Sequence, residues 1–150
     1  MSETNSKNEF LYLNKENTIK DPKSLCEIVL IYEKNPVFRE MIELILEENF
    51  YSVTSNLNFE NMDDKIKSAQ VLVTEINESN LDKIQKIRKI YPADELQIFA
   101  LVPDYLFTKA YEKIKDVILM PLYPDFKDVA EKVNHYWNDK LLNLSLIHIS

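Results

Sequence analysis

The chain has 150 residues, enough for one domain with a core of its own and too few for a second of ordinary size. A net charge of −7, with no dense cluster of Lys and Arg, excludes a surface that follows a phosphate backbone, so no nucleic-acid partner is expected. The chain contains no glycine, which removes the phosphate-binding loop and the dinucleotide fingerprint, because both need backbone that only glycine supplies.

Hydrophobic residues at 45% and charged residues at 29% are those of an ordinary globular protein. No apolar run reaches the roughly 18–20 residues that span a bilayer, and Met1–Lys7 is polar rather than signal-like. The single cysteine, Cys26, excludes an intrachain disulfide, and its place before an apolar run makes it buried filler rather than a reactive thiol. The expected compartment is the cytoplasm, away from any membrane.

Residues 1–24 read as a flexible polar arm, rich in Lys, Asn and Glu and broken by Phe10, Leu11, Tyr12 and Leu13. A loose tail and a patch docked on the body or on a partner both fit that pattern. Ile28, Val29, Leu30 and Ile31 then read as a buried strand. Asn35 and Pro36 supply a helix cap and a first helical residue. Phe38, Met41, Ile42 and Ile45 recur at helical spacing through Glu48, and Asn49 stands where a left-handed cap is expected.

A short strand is expected at 51–55. Asn61 is placed to cap a helix at 62–68, with Asp63 and Asp64 in its favourable first turn. The third strand, Val71 to Thr74, ends on Glu75 before the chain turns polar. Leu81, Ile84, Ile87 and Tyr91 form the stripe of the next helix, capped near Asn80 and closed by Pro92. A strand at 96–102, a helix at 105–115 and a strand at 117–120 follow. Asp125 then caps a last helix whose inward residues are Phe126, Val129, Val133 and Trp137. Strand and helix alternate throughout, which implies parallel βαβ units and an α/β, three-layer αβα sandwich.

Between Glu27 and about Leu142 this order resembles the receiver domain of bacterial response regulators, the CheY-like fold. Val29-Leu30-Ile31-Tyr32-Glu33-Lys34-Asn35-Pro36-Val37-Phe38-Arg39 is similar to the receiver's first strand, acidic pair and first helix. Val71-Leu72-Val73-Thr74-Glu75-Ile76-Asn77 looks like the strand that ends on the phosphoacceptor aspartate. Ile98-Phe99-Ala100-Leu101-Val102 and Val117-Ile118-Leu119-Met120-Pro121 resemble the fourth and fifth strands. The resemblance implies a five-stranded parallel sheet of flavodoxin-like order 2-1-3-4-5, with the acid at the switch-point crevice. It covers residues 25–143 as one receiver-like domain.

In that family two acids and the acceptor aspartate hold Mg²⁺, while a Thr or Ser and a Lys contact the phosphoryl oxygens. The positions matching these are Glu33, Lys34, Glu75, Val102 and Met120. Lys34 puts an ammonium where a metal-binding carboxylate stands, and Mg²⁺ needs hard oxygen ligands in tight octahedral geometry. Val102 has no hydrogen-bonding group, and Met120 removes the charge that neutralises a phosphoryl oxygen. The expectation is a degenerate phosphoacceptor pocket with Mg²⁺ binding lost, no cofactor and no catalysis. In that pocket Glu75 pairs with the Lys34 ammonium, or else both are solvated at strand ends. Val117 falls where receivers often carry a switching aromatic, so the usual readout is expected to be lost as well.

The function this implies is a non-catalytic pseudo-receiver signalling module of a bacterial regulator, acting by phosphorylation-independent protein–protein interaction. Two alternatives stand beside it: an atypical phosphoacceptor receiver in a two-component phosphorelay, and an unrelated flavodoxin-like domain binding a small ligand. The expected partner is a protein. Its docking face would be the one that the resemblance assigns to the helix at 105–115, the fifth strand and the last helix. Tyr105, Phe107 and Tyr111 on that face read mainly as core, with any exposed remainder a partner surface. His135 reads as an ordinary helix residue. Glu47–Glu48, Asp63–Asp64 and Lys86–Arg88–Lys89 read as solvated faces. Residues 144–150, Leu-Ser-Leu-Ile-His-Ile-Ser, break the preceding pattern and look like a translated sequencing adapter. The expectation is a non-native tail, with an output domain beyond Asn143 that this chain does not contain.

Overall fold

The computed structural model describes residues 25–149, with side chains from 25 to 143. The expected arm at 1–24 and the side chains of the expected tail lie outside the described residues. In chain order the elements are β1 (Glu27–Ile31), α1 (Pro36–Glu48), β2 (Ser52–Asn56), α2 (Asp63–Ser68), β3 (Val71–Glu75) and α3 (Leu81–Ile90). They continue with β4 (Gln97–Val102), a 3-10 turn (Asp104–Leu106) leading into α4 (Phe107–Lys113), β5 (Val117–Pro121) and α5 (Phe126–Ile149). The strands form one parallel sheet in the order β2-β1-β3-β4-β5, as the resemblance implies.

Strand alternation divides the core into two layers. Val29, Ile31, Leu72, Ile98, Ala100 and Val102 face α2, α3 and α4, where Ile66, Ile84, Ile87 and Ala110 meet them. Ile28, Leu30, Val71, Val73, Phe99, Leu101 and Met120 face α1 and α5, packing on Ile42, Leu46, Val129, Val133 and Trp137. β3 is buried along its whole length, as a strand covered on both faces must be. β2, Ser-Val-Thr-Ser-Asn, is the polar edge strand and has no fully buried residue. Cys26 is fully buried, and desolvation pushes its thiol up from 9.0 to about 12.

Local chemistry explains most boundaries. Asn35 Oδ1 accepts from the Phe38 N–H at 3.0 Å with Pro36 opening α1, and Asp125 Oδ1 accepts from the Lys127 N–H at 2.8 Å ahead of α5. In α1 it is Leu46, not Met41, that is buried beside Ile42. The cap after α1 also differs from the expected one. Asn49 has φ −93°, and the left-handed residue is Phe50 at φ 73°. Asn49 instead turns its side-chain amide back onto the Ile45 carbonyl at 2.8 Å, which displaces the left-handed step by one residue. Asn61 at φ 60° and Asp116 at φ 57° take the other two left-handed positions, the work glycine does in most chains. Asn61 therefore does not cap α2; Met62 holds that place and offers no side-chain acceptor.

Two further expectations give way, and the last helix runs on past the expected domain end. The helix expected at 105–115 is shorter and begins as a 3-10 turn, whose Leu106 is buried beside Ala110 of α4. Tyr105, Phe107 and Tyr111 are exposed, not core, with Tyr105 73% and Tyr111 71% accessible. α5 continues through Ile149, past residue 143, where the sequence pattern changes.

Arg88 departs most from its sequence reading. It is 8% exposed, not part of a solvated face. Its guanidinium donates to four carbonyls: Nε to Lys115 at 3.0 Å, Nη1 to Tyr91 at 3.1 Å and Leu96 at 2.7 Å, and Nη2 to Asp116 at 2.8 Å. One planar fork thus ties the end of α3, the start of β4 and the left-handed turn into β5.

Candidate functional site

In an open parallel sheet the connections leave in opposite directions on either side of the first strand, and a crevice opens at the carboxyl ends there. Here that crevice lies between β1 and β3, which pair from Ile28↔Val71 to Ile31↔Thr74. Glu75, the last residue of β3, is placed at its floor and is only 4% exposed. The loop after β1 brings Glu33 and Lys34 across from it, both exposed at the surface.

A buried acid needs donors, and Glu75 finds them in the backbone. Its Oε1 accepts from the Glu33 N–H and, at 2.9 Å, from the Lys34 N–H. Among the described residues, Lys34 forms no ion pair with Glu75; the ion pairs there join other residues. Of the two sequence readings of this pair, neither holds as stated. Glu75 is buried rather than solvated, and Lys34 serves it through its amide rather than its ammonium. The main-chain carbonyl of Glu75 is held as well, by Asn80 Nδ2 at 2.8 Å.

The loop that follows is fastened by two asparagines acting on one another. Asn77 Oδ1 accepts from the N–H groups of Ser79 and Asn80, each at 2.9 Å, and Asn80 Oδ1 accepts from the Asn77 N–H at 2.9 Å. These Asx-type bonds let a glycine-free chain turn tightly after β3. They also explain why Asn80, expected to cap α3, makes no side-chain cap bond there: its amide is spent on the loop.

Val102 and Met120 stand at the same edge of the sheet, both buried at 2% exposure. They face opposite ways, Val102 into the layer of α3 and α4, Met120 into the layer of α1 and α5. In the layer of Met120 lies an aromatic cluster; its Phe38 and Phe126 were expected to face inward, while the part played by Tyr32 and Tyr123 was not foreseen. Phe38 is the hub, with ring centroids 5.5 Å from Tyr32, 5.1 Å from Tyr123 and 4.7 Å from Phe126. Tyr32 donates its hydroxyl to the Leu122 carbonyl at 3.0 Å. Burial, with Tyr123 and Glu75 close by, pushes the Tyr32 phenol above its ordinary value. The available signal was Tyr32 itself, an aromatic continuing the β1 alternation, with Phe38 six residues on.

The resemblance to receivers implies Mg²⁺ at this crevice, an ion that takes hard oxygen ligands. Glu33 is an acid on the loop that faces Glu75, and one Glu75 oxygen already takes two N–H groups. Among the described residues no three acidic, His or Cys side chains gather in a way that holds a metal ion. A cavity of about 540 Å³ lies elsewhere, between β5 and α5 and lined by Ile118, Glu131, His135 and Tyr136. His135 is exposed there, 3.7 Å from Asp139. No helix among the described residues is long and apolar enough to cross a membrane.

No family model matches the chain, and no curated protein matches it in sequence. Solved structures do. A CheY-like receiver domain protein of Methanospirillum hungatei aligns with TM-score 0.60 and 15% identity over 77% of this chain and 96% of that one. A receiver domain protein of Clostridium thermocellum aligns with TM-score 0.59 and 19% identity over 79% and 98%. A Burkholderia pseudomallei protein described as pilus assembly-related aligns with TM-score 0.58 and 13% identity over 77% and 92%. The chain therefore has the response-regulator receiver fold.

Proposed function

We propose that this chain is a pseudo-receiver: a non-catalytic module of a bacterial regulator that signals through protein contact without accepting a phosphoryl group. The observation that carries this reading is the bonding of Glu75. An acid that is to be phosphorylated must be open to its donor and flanked by cations. Glu75 is buried, and it accepts two backbone N–H groups from the loop where a metal-binding acid pair would stand. Met120 and Val102 bring hydrocarbon to the positions matching the phosphate-contacting groups. The reading includes loss of Mg²⁺, supported by Lys34 standing where a metal-binding acid is expected and by the two N–H groups already on Glu75 Oε1.

The docking face under this reading is α4–β5–α5. Phe107 and Tyr111 are one helical turn apart on α4, with Tyr105 just before them, and all three are exposed. Exposed aromatics of this density favour a protein partner, since Tyr and Phe supply contact area at low entropic cost. The module works in the cytoplasm.

The test is a titration of the full chain with Mg²⁺ and beryllofluoride, followed by the fluorescence of Trp137, buried on α5, and by amide NMR. No saturable change is expected, and incubation with acetyl phosphate leaves the mass unchanged. A saturable response that Glu75→Ala abolishes would restore the phosphoacceptor reading.

A further inference from the structure

At the opposite edge of the sheet, where β4 and β5 begin, the ends of α3 and α4 enclose a cleft of about 410 Å³. Arg88 and Lys89 line it from α3, Pro92 from the following loop, and Lys113, Lys115 and Asp116 from the end of α4 and the turn into β5. A cavity of this volume lies within the range of small-molecule sites, about 300–1,000 Å³.

The charge there is not balanced. Buried cations are normally paired with carboxylates, yet the Arg88 guanidinium donates to carbonyls, and among the described residues it is in no ion pair. Asp116 is the acid close enough to favour its charge, and it gives its carbonyl, not its carboxylate, to the bond. Lys113 reaches Asp82 only at 3.9 Å, with both side chains solvated. Basic residues in the last turns of α3 and α4 complement the two helix dipoles, which explains some of this charge. Each helix terminus carries only about half a negative charge. With Asp116 and Asp82 added, four cations still exceed the local negative charge by about one. In a chain of net charge −7, this cleft is a local site of positive charge.

We propose that this cleft is a binding site for a small phosphorylated anion carrying two or more negative charges. The lysines act as mobile point charges on phosphate oxygens, as lysine does at phosphate sites generally. Arg88 sets a fixed positive field behind them. The bound anion bridges α3 to the turn before β5, so it braces the base of α4, the helix that carries the exposed aromatics. The site is remote from Glu75 and does not depend on how that edge functions.

The probe is inorganic pyrophosphate, titrated calorimetrically into the full chain at constant ionic strength and compared with succinate, a dianion without phosphate. Saturable pyrophosphate binding below about 1 mM is expected, with succinate at least about tenfold weaker. Lys113 and Lys115 are exposed, so the double reversal Lys113→Glu/Lys115→Glu keeps the fold, which circular dichroism verifies. It should weaken pyrophosphate at least about tenfold. The remote reversal Lys65→Glu/Lys67→Glu on α2 should leave the affinity unchanged. Absence of saturation, equal loss in both double variants, or succinate binding as tightly as pyrophosphate would each overturn the proposal.

Discussion

Replacing Glu75 distinguishes an acid held by backbone amides from one held by a lysine side chain. Glu75→Ala removes the acceptor of two N–H bonds. A hydrogen bond involving a charged group contributes about 1.5–3 kcal/mol, and Glu33 and Lys34 sit at the surface, where water recovers part of what their amides lose. The expected loss is therefore about 2–3 kcal/mol, below the sum of two full bonds. Glu75→Gln keeps an oxygen in place and should cost about 1 kcal/mol, the difference between a charged and a neutral acceptor. Lys34→Ala keeps the amide that does the bonding and should fall within about 0.5 kcal/mol of wild type. A buried ion pair would reverse that last result, since stripping one partner from such a pair costs about 3–5 kcal/mol. Urea unfolding of the three variants, with equal m-values to confirm two-state behaviour, supplies the numbers. Lys34→Ala as damaging as Glu75→Ala, or Glu75→Ala as stable as wild type, would refute the amide account.

Arg88→Met should cost about 3–5 kcal/mol in the same assay, because it orphans carbonyls in three segments. Arg88→Lys should recover only part of that loss, a single ammonium being unable to span four acceptors; full recovery would show that charge alone matters. Phe50→Asn should stabilise by about 0.5–1 kcal/mol, since Phe50 holds φ 73° while 60% exposed and loses little packing when replaced. A destabilised Phe50→Asn would mean that the ring is held by contacts. Stability should fall in alkali. Cys26 ionises near 9.0 when unfolded and at about 12 when folded, so above pH 9 the unfolded chain binds fewer protons and gains, by up to about 1.4 kcal/mol per pH unit. Tyr32 and Tyr136, both raised by burial, add to the slope above pH 10. Cys26→Ala should remove the part beginning near pH 9; an unchanged pH profile would contradict the buried thiol.

The sheet was legible because its strands are short apolar runs punctuated by caps. Val71 to Thr74 bounded by Gln70 and Glu75 has no stable reading except a central strand, and Asn35-Pro36 fixes where α1 begins. The candidate site was legible in position and not in bonding. The place of Glu75 follows from its strand, but its partners are two N–H groups, and a backbone donor leaves no mark in the residue letters. The errors over Arg88 and the α4 aromatics mirror one another. Side-chain polarity assigns arginine to solvent and tyrosine to the core. A local supply of free carbonyls buried the first, and a helix only seven residues long, already filled inward by Ala110, left the second outside.

The missing glycines connect these details. Three turns need left-handed backbone, and Phe50, Asn61 and Asp116 accept it at a cost that glycine would avoid. A residue holds such a geometry only where its surroundings over-determine it. Around Asp116 the determinant is visible: Arg88 grips the carbonyls of Lys115 and Asp116 together, so the guanidinium and the strained turn require one another. The same economy governs the loop after β3, where Asn77 and Asn80 substitute side-chain amides for backbone freedom and hold the Glu75 carbonyl in passing. At both ends of the sheet, side-chain hydrogen bonds thus fasten turns in a chain that has no glycine. Here the turn from α4 into β5 is held by two hydrogen bonds from one buried guanidinium, whose other two bonds hold the α3–β4 connection, and the crevice acid is held by two amides. Under the proposed reading, the exposed aromatics of α4 would meet a protein partner on a face whose base is fastened by these bonds.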